Sequence, residues 1–100
     1  MVKHVVMWTL REEAEGKNKQ ENAILLKEKL EALPAEIPDI LRFEVGLNFN
    51  AGEAAYDVVL LSAFKNRDAL NAYQNHPKHV EVADFVSLVR DKRAVVDFDV

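Results

Sequence analysis

The sequence has no cysteine, only three glycines, three prolines and one tryptophan, and no long apolar run. Without thiols there are no disulfides, thiolate zinc sites, iron–sulfur clusters or cysteine nucleophiles. Three scattered glycines leave no glycine-rich loop to cradle a phosphate. Ser62 and Ser87 fall inside a predicted strand and a predicted helix, so neither sits on a nucleophile elbow. No stretch approaches the roughly 20 apolar residues of a membrane helix. Positive charge is also in short supply: thirteen Lys and Arg against seventeen Asp and Glu give a net charge of -4. That balance argues against a nucleic-acid partner, which needs a basic stripe to displace counterions. Met1 to Leu10 is rich in apolar residues but contains Lys3 and His4. It runs into Arg11-Glu12-Glu13 with no small-residue cleavage site, so the expected location is cytoplasmic.

What is present is a chain of 100 residues, 49% hydrophobic and 30% charged. Residues 1–100 are expected to form one domain with one core. Val2 to Leu10 is β-branched and aromatic and predicts a strand, with His4, Val6, Trp8 and Leu10 on one face and Lys3, Val5, Met7 and Thr9 on the other. A polar loop around Gly16 precedes a helix from about Lys17 to Leu33. Ala23, Leu26, Leu30 and Leu33 repeat there at helical spacing until Pro34 stops it. Ile40 to Phe49 alternates, as does Tyr56 to Phe64, and the two predict an antiparallel hairpin with a long loop. Asn66 is placed to cap a short helix through Leu70 and Tyr73. Pro77 interrupts it, and Val82, Phe85, Val86 and Val89 carry a second helical stripe. Arg90, Lys92 and Arg93 read as cations suited to the end of that helix. Lys92 to Val100 alternates as a last strand.

The order β-α-β-β-α-β is the ferredoxin-like α+β pattern, a four-stranded antiparallel sheet with its helices on one face. The helix-facing set is expected to include His4, Val6, Trp8, Leu41, Phe43, Val45, Val58, Leu60, Phe64, Val96 and Phe98. The opposite face then holds Val5, Met7, Thr9, Val59, Leu61, Ala63 and Val95. That is too large an apolar patch for a monomer to leave in water. The economical solution is a twofold homodimer with sheets packed face to face through Val5, Met7, Val59, Leu61 and Val95.

Three histidines and a tyrosine are the candidates for chemistry. A histidine titrates near neutrality and can take and return a proton. A phenol can steady a developing oxyanion. His4 lies on the helix-facing side of the first strand. His76 and His79 bracket the helix break, with Tyr73 just before it. Taken singly, each is more often structural; together at one cleft they form a candidate site, with Val6, Trp8, Val58 and Phe85 as its apolar lining. His76 and His79, even with Glu81 and Asp84 nearby, fall short of the convergent ligands a zinc site needs, so no metal is expected.

The segments Val2-Lys3-His4-Val5-Val6-Met7-Trp8 and His76-Pro77-Lys78-His79-Val80-Glu81-Val82-Ala83-Asp84-Phe85-Val86 resemble the stress-responsive A/B barrel domain (Dabb) family. Asn48-Phe49-Asn50 and the strand opening at Tyr56-Asp57 fit it too, so the resemblance spans essentially the whole chain. It implies a ferredoxin-like α+β barrel that dimerises through its sheets. The family includes plant stress proteins, proteins of unknown role and plant polyketide cyclases that work without a cofactor. In those cyclases the second histidine of His-Pro-x-His is the base, and a tyrosine three residues before the motif assists. The resemblance puts these roles on His79 and Tyr73, and matches His4 to a cleft histidine. A further cyclase histidine near the start of the third strand is replaced here by Val58, which sets this chain apart from that particular cyclisation.

Three functions follow as expectations. One is a homodimer with a small-molecule cleft between sheet and helices, using cofactor-free general acid–base chemistry on a small carbonyl or aromatic compound. Another is a non-catalytic stress-responsive structural dimer. The third, by fold analogy, is a cofactor-free oxygenase. An open cavity of roughly 300 Å³ or more with converging polar groups favours a ligand site over a filled interior.

Overall fold

The N-terminal β-branched run forms β1 (Val2–Leu10) in a computed structural model that describes residues 1–100. Two short strands follow, β2 (Glu13–Ala14) and β3 (Lys17–Asn18). They are joined by Glu15 and Gly16, whose φ values of 52° and 75° supply the positive-φ turn that suits a two-residue hairpin. The expected polar loop is therefore a small hairpin. It ends at Asn18, which caps α1 (Lys19–Glu31): the Asn18 side chain accepts the Glu21 N–H, and the Glu21 carboxylate accepts the Asn18 N–H. This reciprocal box starts the helix two residues later than the propensity pattern suggested. Leu33–Ala35 forms a 3-10 turn that buries Leu33.

β4 (Ile40–Leu47) and β5 (Val58–Phe64) pair antiparallel across the expected long loop. Asn66 accepts the Ala69 N–H and caps α2 (Arg67–Asn75). His76 is extended, Pro77 occupies the first position of α3 (Pro77–Val89), and β6 (Arg90–Asp99) follows without a loop. Pro is pre-shaped for that first position, where its missing N–H has no helical partner to lose. The four-stranded sheet has the order β4-β5-β1-β6, all antiparallel, the ferredoxin-like arrangement. Helical and sheet residues meet in one core of 18 buried hydrophobics, including Leu26, Leu30, Val6, Leu60, Phe64 and Tyr73.

The register corrects the expected faces of two strands. Directly opposed residues share a face. β6 places Arg93, Val95 and Asp97 opposite Trp8, Val6 and His4, hence on the helix side, and Val96 and Phe98 opposite Val5 and Lys3, on the outer side. Val95 therefore does not belong to the outer patch, and Val96 and Phe98 do not belong to the core. Alternation tells which residues share a face but not which face it is. Here the choice is made by the direct step from α3 into the strand and by a register shift at Thr9/Leu10. In β4 a second shift pairs Ile40 with Phe64 and Arg42 with Ala63. Leu41 is left unpaired and exposed, and Ile40 takes the place expected for it. The outer face thus carries Val5, Met7, Val59, Leu61, Ala63, Val96 and Phe98, of which Met7, Leu61, Val96 and Phe98 are exposed in the single chain.

Candidate functional site

The break between α2 and α3 brings the candidate residues to one place. Tyr73 sits in the last turn of α2 and His79 in the first turn of α3, on either side of the extended His76. A cavity of about 300 Å³ lies between these helices, α1 and the sheet. Its polar wall is made by His4, Tyr73, His79, Ser87, Arg90 and Arg93; Val6, Trp8, Leu30, Leu60, Val82 and Val86 supply most of the apolar wall.

The aromatic groups are in contact. The Tyr73 ring centroid is 4.5 Å from that of His79 and 6.2 Å from that of His4, and Tyr73 also packs on Phe43 and Phe64. The hydrogen bonds assign the tautomers. His79 Nδ1 lies 3.0 Å from the Gln74 carbonyl oxygen. A carbonyl only accepts, so Nδ1 carries the proton and the neutral ring keeps its lone pair on Nε2. His4 is 2% exposed, and its Nδ1 bonds the Asp97 carboxylate from the neighbouring strand. Its Nδ1 is again the protonated nitrogen, a carboxylate-oriented imidazole.

Burial is the main influence on both titrating groups of the helix break. Desolvation lowers the His79 pKa below its ordinary value; the Gln74 bond opposes this, and the charges of His4 and Arg93 add to it. Desolvation raises the Tyr73 pKa far above the usual phenol range, with Arg93 pulling slightly the other way. At neutral pH the cleft therefore holds an unprotonated imidazole beside a protonated phenol. The Trp8 indole N–H is buried and has no protein partner. An unpaired buried donor of this kind costs about 1–3 kcal/mol.

Of the residues expected to line the cleft, Val6 and Trp8 do so, with His4, Tyr73 and His79. Val58 and Phe85 do not. Val58 is a buried core residue opposite Trp8 on β5. Phe85 lies on the flank of α3 toward α1, half-buried beneath the Lys29 ammonium at 5.0 Å. The helical turn presents Val82 and Val86 to the cavity and rotates Phe85 past it. His76 serves the backbone, its Nδ1 accepting the Lys78 N–H at 3.1 Å as the cap of α3. No three histidine, aspartate or glutamate side chains converge as metal ligands.

Arg90 and Arg93 line the cavity and Asp97 holds His4; the sequence pattern assigned none of them to the cleft, and Arg90, Lys92 and Arg93, expected at the helix end, belong to β6 instead. Arg93 and Asp97 alternate with Val95 on the strand face shared by Trp8, Val6 and His4. That spacing is their only sequence signal, and it needs the register to be read.

Comparisons with known proteins agree with the fold. An uncharacterised protein of Streptomyces coelicolor is 32% identical over 80 residues, which cover 79% of each chain. A dimeric protein of unknown function with a ferredoxin-like fold from Bacteroides fragilis is 38% identical, with a TM-score of 0.88 over 99% of this chain and 95% of that one. At the level of fold alone, the hydroxynitrile lyase of Passiflora edulis superposes with a TM-score of 0.76 at 16% identity, over 97% of this chain and 90% of that one. No helix is long and apolar enough to cross a membrane. With the stress responsive A/B barrel domain model matching residues 2–100, the chain belongs to that family.

Proposed function

We propose that the chain works as a homodimer, and that each protomer binds a small carbonyl or aromatic compound in its cleft for cofactor-free general acid–base chemistry. The observation that carries the reading is the free Nε2 of His79 at a cavity it shares with the Tyr73 phenol, the two rings 4.5 Å apart. His79 takes a proton from carbon or oxygen of the ligand through Nε2. Its depressed pKa keeps it unprotonated at neutral pH, and the Gln74 carbonyl holds the ring in that tautomer. Tyr73, kept protonated by burial, donates to the oxyanion that develops as the proton leaves. His4, oriented by Asp97, provides the second imidazole of the wall, whose Nε2 lone pair accepts from a hydroxyl or enol O–H of the ligand.

Dimerisation is supported by the dimeric Bacteroides fragilis relative and by the apolar outer face. A sheet-to-sheet contact leaves the cleft, which is on the helix side, free to work in each protomer.

The test is deuterium incorporation next to the carbonyl of simple aryl ketones in D2O, followed by NMR. The expected result is exchange above the buffer rate by the wild type, lost in His79→Ala and reduced roughly 10²-fold or more in Tyr73→Phe. Exchange equal in wild type and His79→Ala across the ketone panel removes His79 as a base and leaves the structural dimer.

A further inference from the structure

Building on the reading of the cavity as a ligand cleft, we infer that its ligand is an anion, with a carboxylate or enolate-type oxygen paired to Arg93. The polar groups of the wall are unbalanced. Arg90 and Arg93 both line the cavity, and no carboxylate does. Neither guanidinium belongs to an ion pair, although the chain as a whole has an excess of acid. Asp97, which shares the helix-side face of β6 with Arg93, is already held by His4. The Trp8 indole, the cross-strand neighbour of Arg93, is a buried donor with no acceptor. The Tyr73 phenol adds another O–H that burial keeps protonated.

The imidazole Nε2 lone pairs and the Ser87 hydroxyl are the acceptors of this wall; none of them carries negative charge, so its two guanidiniums are satisfied by a ligand that brings one. A planar guanidinium accepts a carboxylate in a two-point fork, which also fixes orientation. Arg93 stands opposite Trp8 on the exposed side of the lining, while His79 and Tyr73 are deeper. An anionic group held at the Arg93 end points the remainder of a small aromatic molecule toward the imidazole and the phenol. The same positive charge lowers the cost of forming an oxyanion at Tyr73. Arg93 is thus a specificity-determining residue that separates acids from their neutral isosteres.

Trp8 is the only tryptophan and lies in the cavity wall, so its fluorescence reports occupancy directly. The experiment titrates benzoate and benzamide, a matched pair differing mainly in charge, into wild type, Arg93→Gln and Arg93→Lys. The expected result is saturable binding of benzoate at least tenfold tighter than benzamide in the wild type, weakening as salt is raised. Arg93→Gln should lose that preference, benzoate weakening at least tenfold more than benzamide, and Arg93→Lys should recover part of it. Equal binding of the two probes, or a preference that survives Arg93→Gln, overturns the inference and leaves the cleft reading standing. Binding of neither probe overturns both. The readout needs no turnover, so an inactive His79 does not obscure it.

Discussion

The two faces of the sheet are made by alternate residues of the same four strands, yet they are built on different rules. On the helix face, buried polar groups other than the Trp8 indole have fixed partners: the His4 imidazole holds Asp97, and the Ser62 hydroxyl donates to the His4 carbonyl at 3.0 Å. The outer face has Val5, Met7, Val59, Leu61, Val96 and Phe98, with Lys3, Arg42 and Glu44 toward one side. It contains no comparable partnership. A polar group in low dielectric must be paired in place, so chemistry can be assembled only where packing holds the pairs. An apolar sheet face needs only a cover, and in the proposed dimer a second copy of itself provides one.

The largest break of this contrast is Leu61→Asp. A carboxylate in a face-to-face sheet contact has a desolvation cost of several kcal/mol per subunit. Light scattering should find monomer or aggregate in place of dimer; a wild type that is already monomeric at micromolar concentration refutes the covered face. On the opposite face, Tyr73→Ala should lower stability by about 3–5 kcal/mol, because the fully buried ring packs on Phe64, Phe43, His4 and His79. Tyr73→Phe keeps the packing and should stay within about 1 kcal/mol of wild type in denaturant. Phe85→Ala should cost only about 1–2 kcal/mol, since the ring is half-buried and its contact with Lys29 is exposed. A midpoint shift as large as that of Tyr73→Ala would place Phe85 in the core after all.

Two neighbouring residues sharpen the contrast further. Val96→Asp should weaken the dimer, while Val95→Asp, on the other side of the same strand, should leave the association state unchanged. Sedimentation of the two variants side by side distinguishes the faces. The smallest effect is that of pH. The fold depresses the His79 pKa, so the unfolded chain binds that proton more tightly. Its contribution is complete above the ordinary histidine value of about 6.5 and declines as pH falls through that value toward the folded one. Unfolding midpoints measured across this range should fall more steeply with acid in the wild type than in His79→Gln.

These predictions draw on features that differ in how well the sequence revealed them. The strand and helix order was legible, because alternation, helical spacing, Pro34 and Pro77 act locally. So was the meeting of Tyr73 and His79, which the helix break arranges within seven residues of chain. The faces of the last strand were not legible, because alternation leaves an either-or that only pairing with β1 resolves. Asp97 is the clearest case: 93 residues from His4, it becomes its partner through register alone. Leu41 was misplaced by a β4 irregularity that its side chain does not announce. Phe85 was misplaced because a helical stripe four residues wide has a flank as well as a front.

The direct step from α3 into β6 joins two surfaces that are otherwise separate. Val89 ends the helix that walls the cavity, and Arg90 begins the strand that shows Arg93 to the cleft and Val96 and Phe98 to the outside. With no loop between them to absorb a displacement, a ligand that shifts α3 also shifts the strand that carries part of the outer patch. In the proposed ligand-binding dimer, occupancy and self-association would then be thermodynamically linked, and reciprocally so: dilution that separates the protomers would change ligand affinity by the same factor as ligand changes their association.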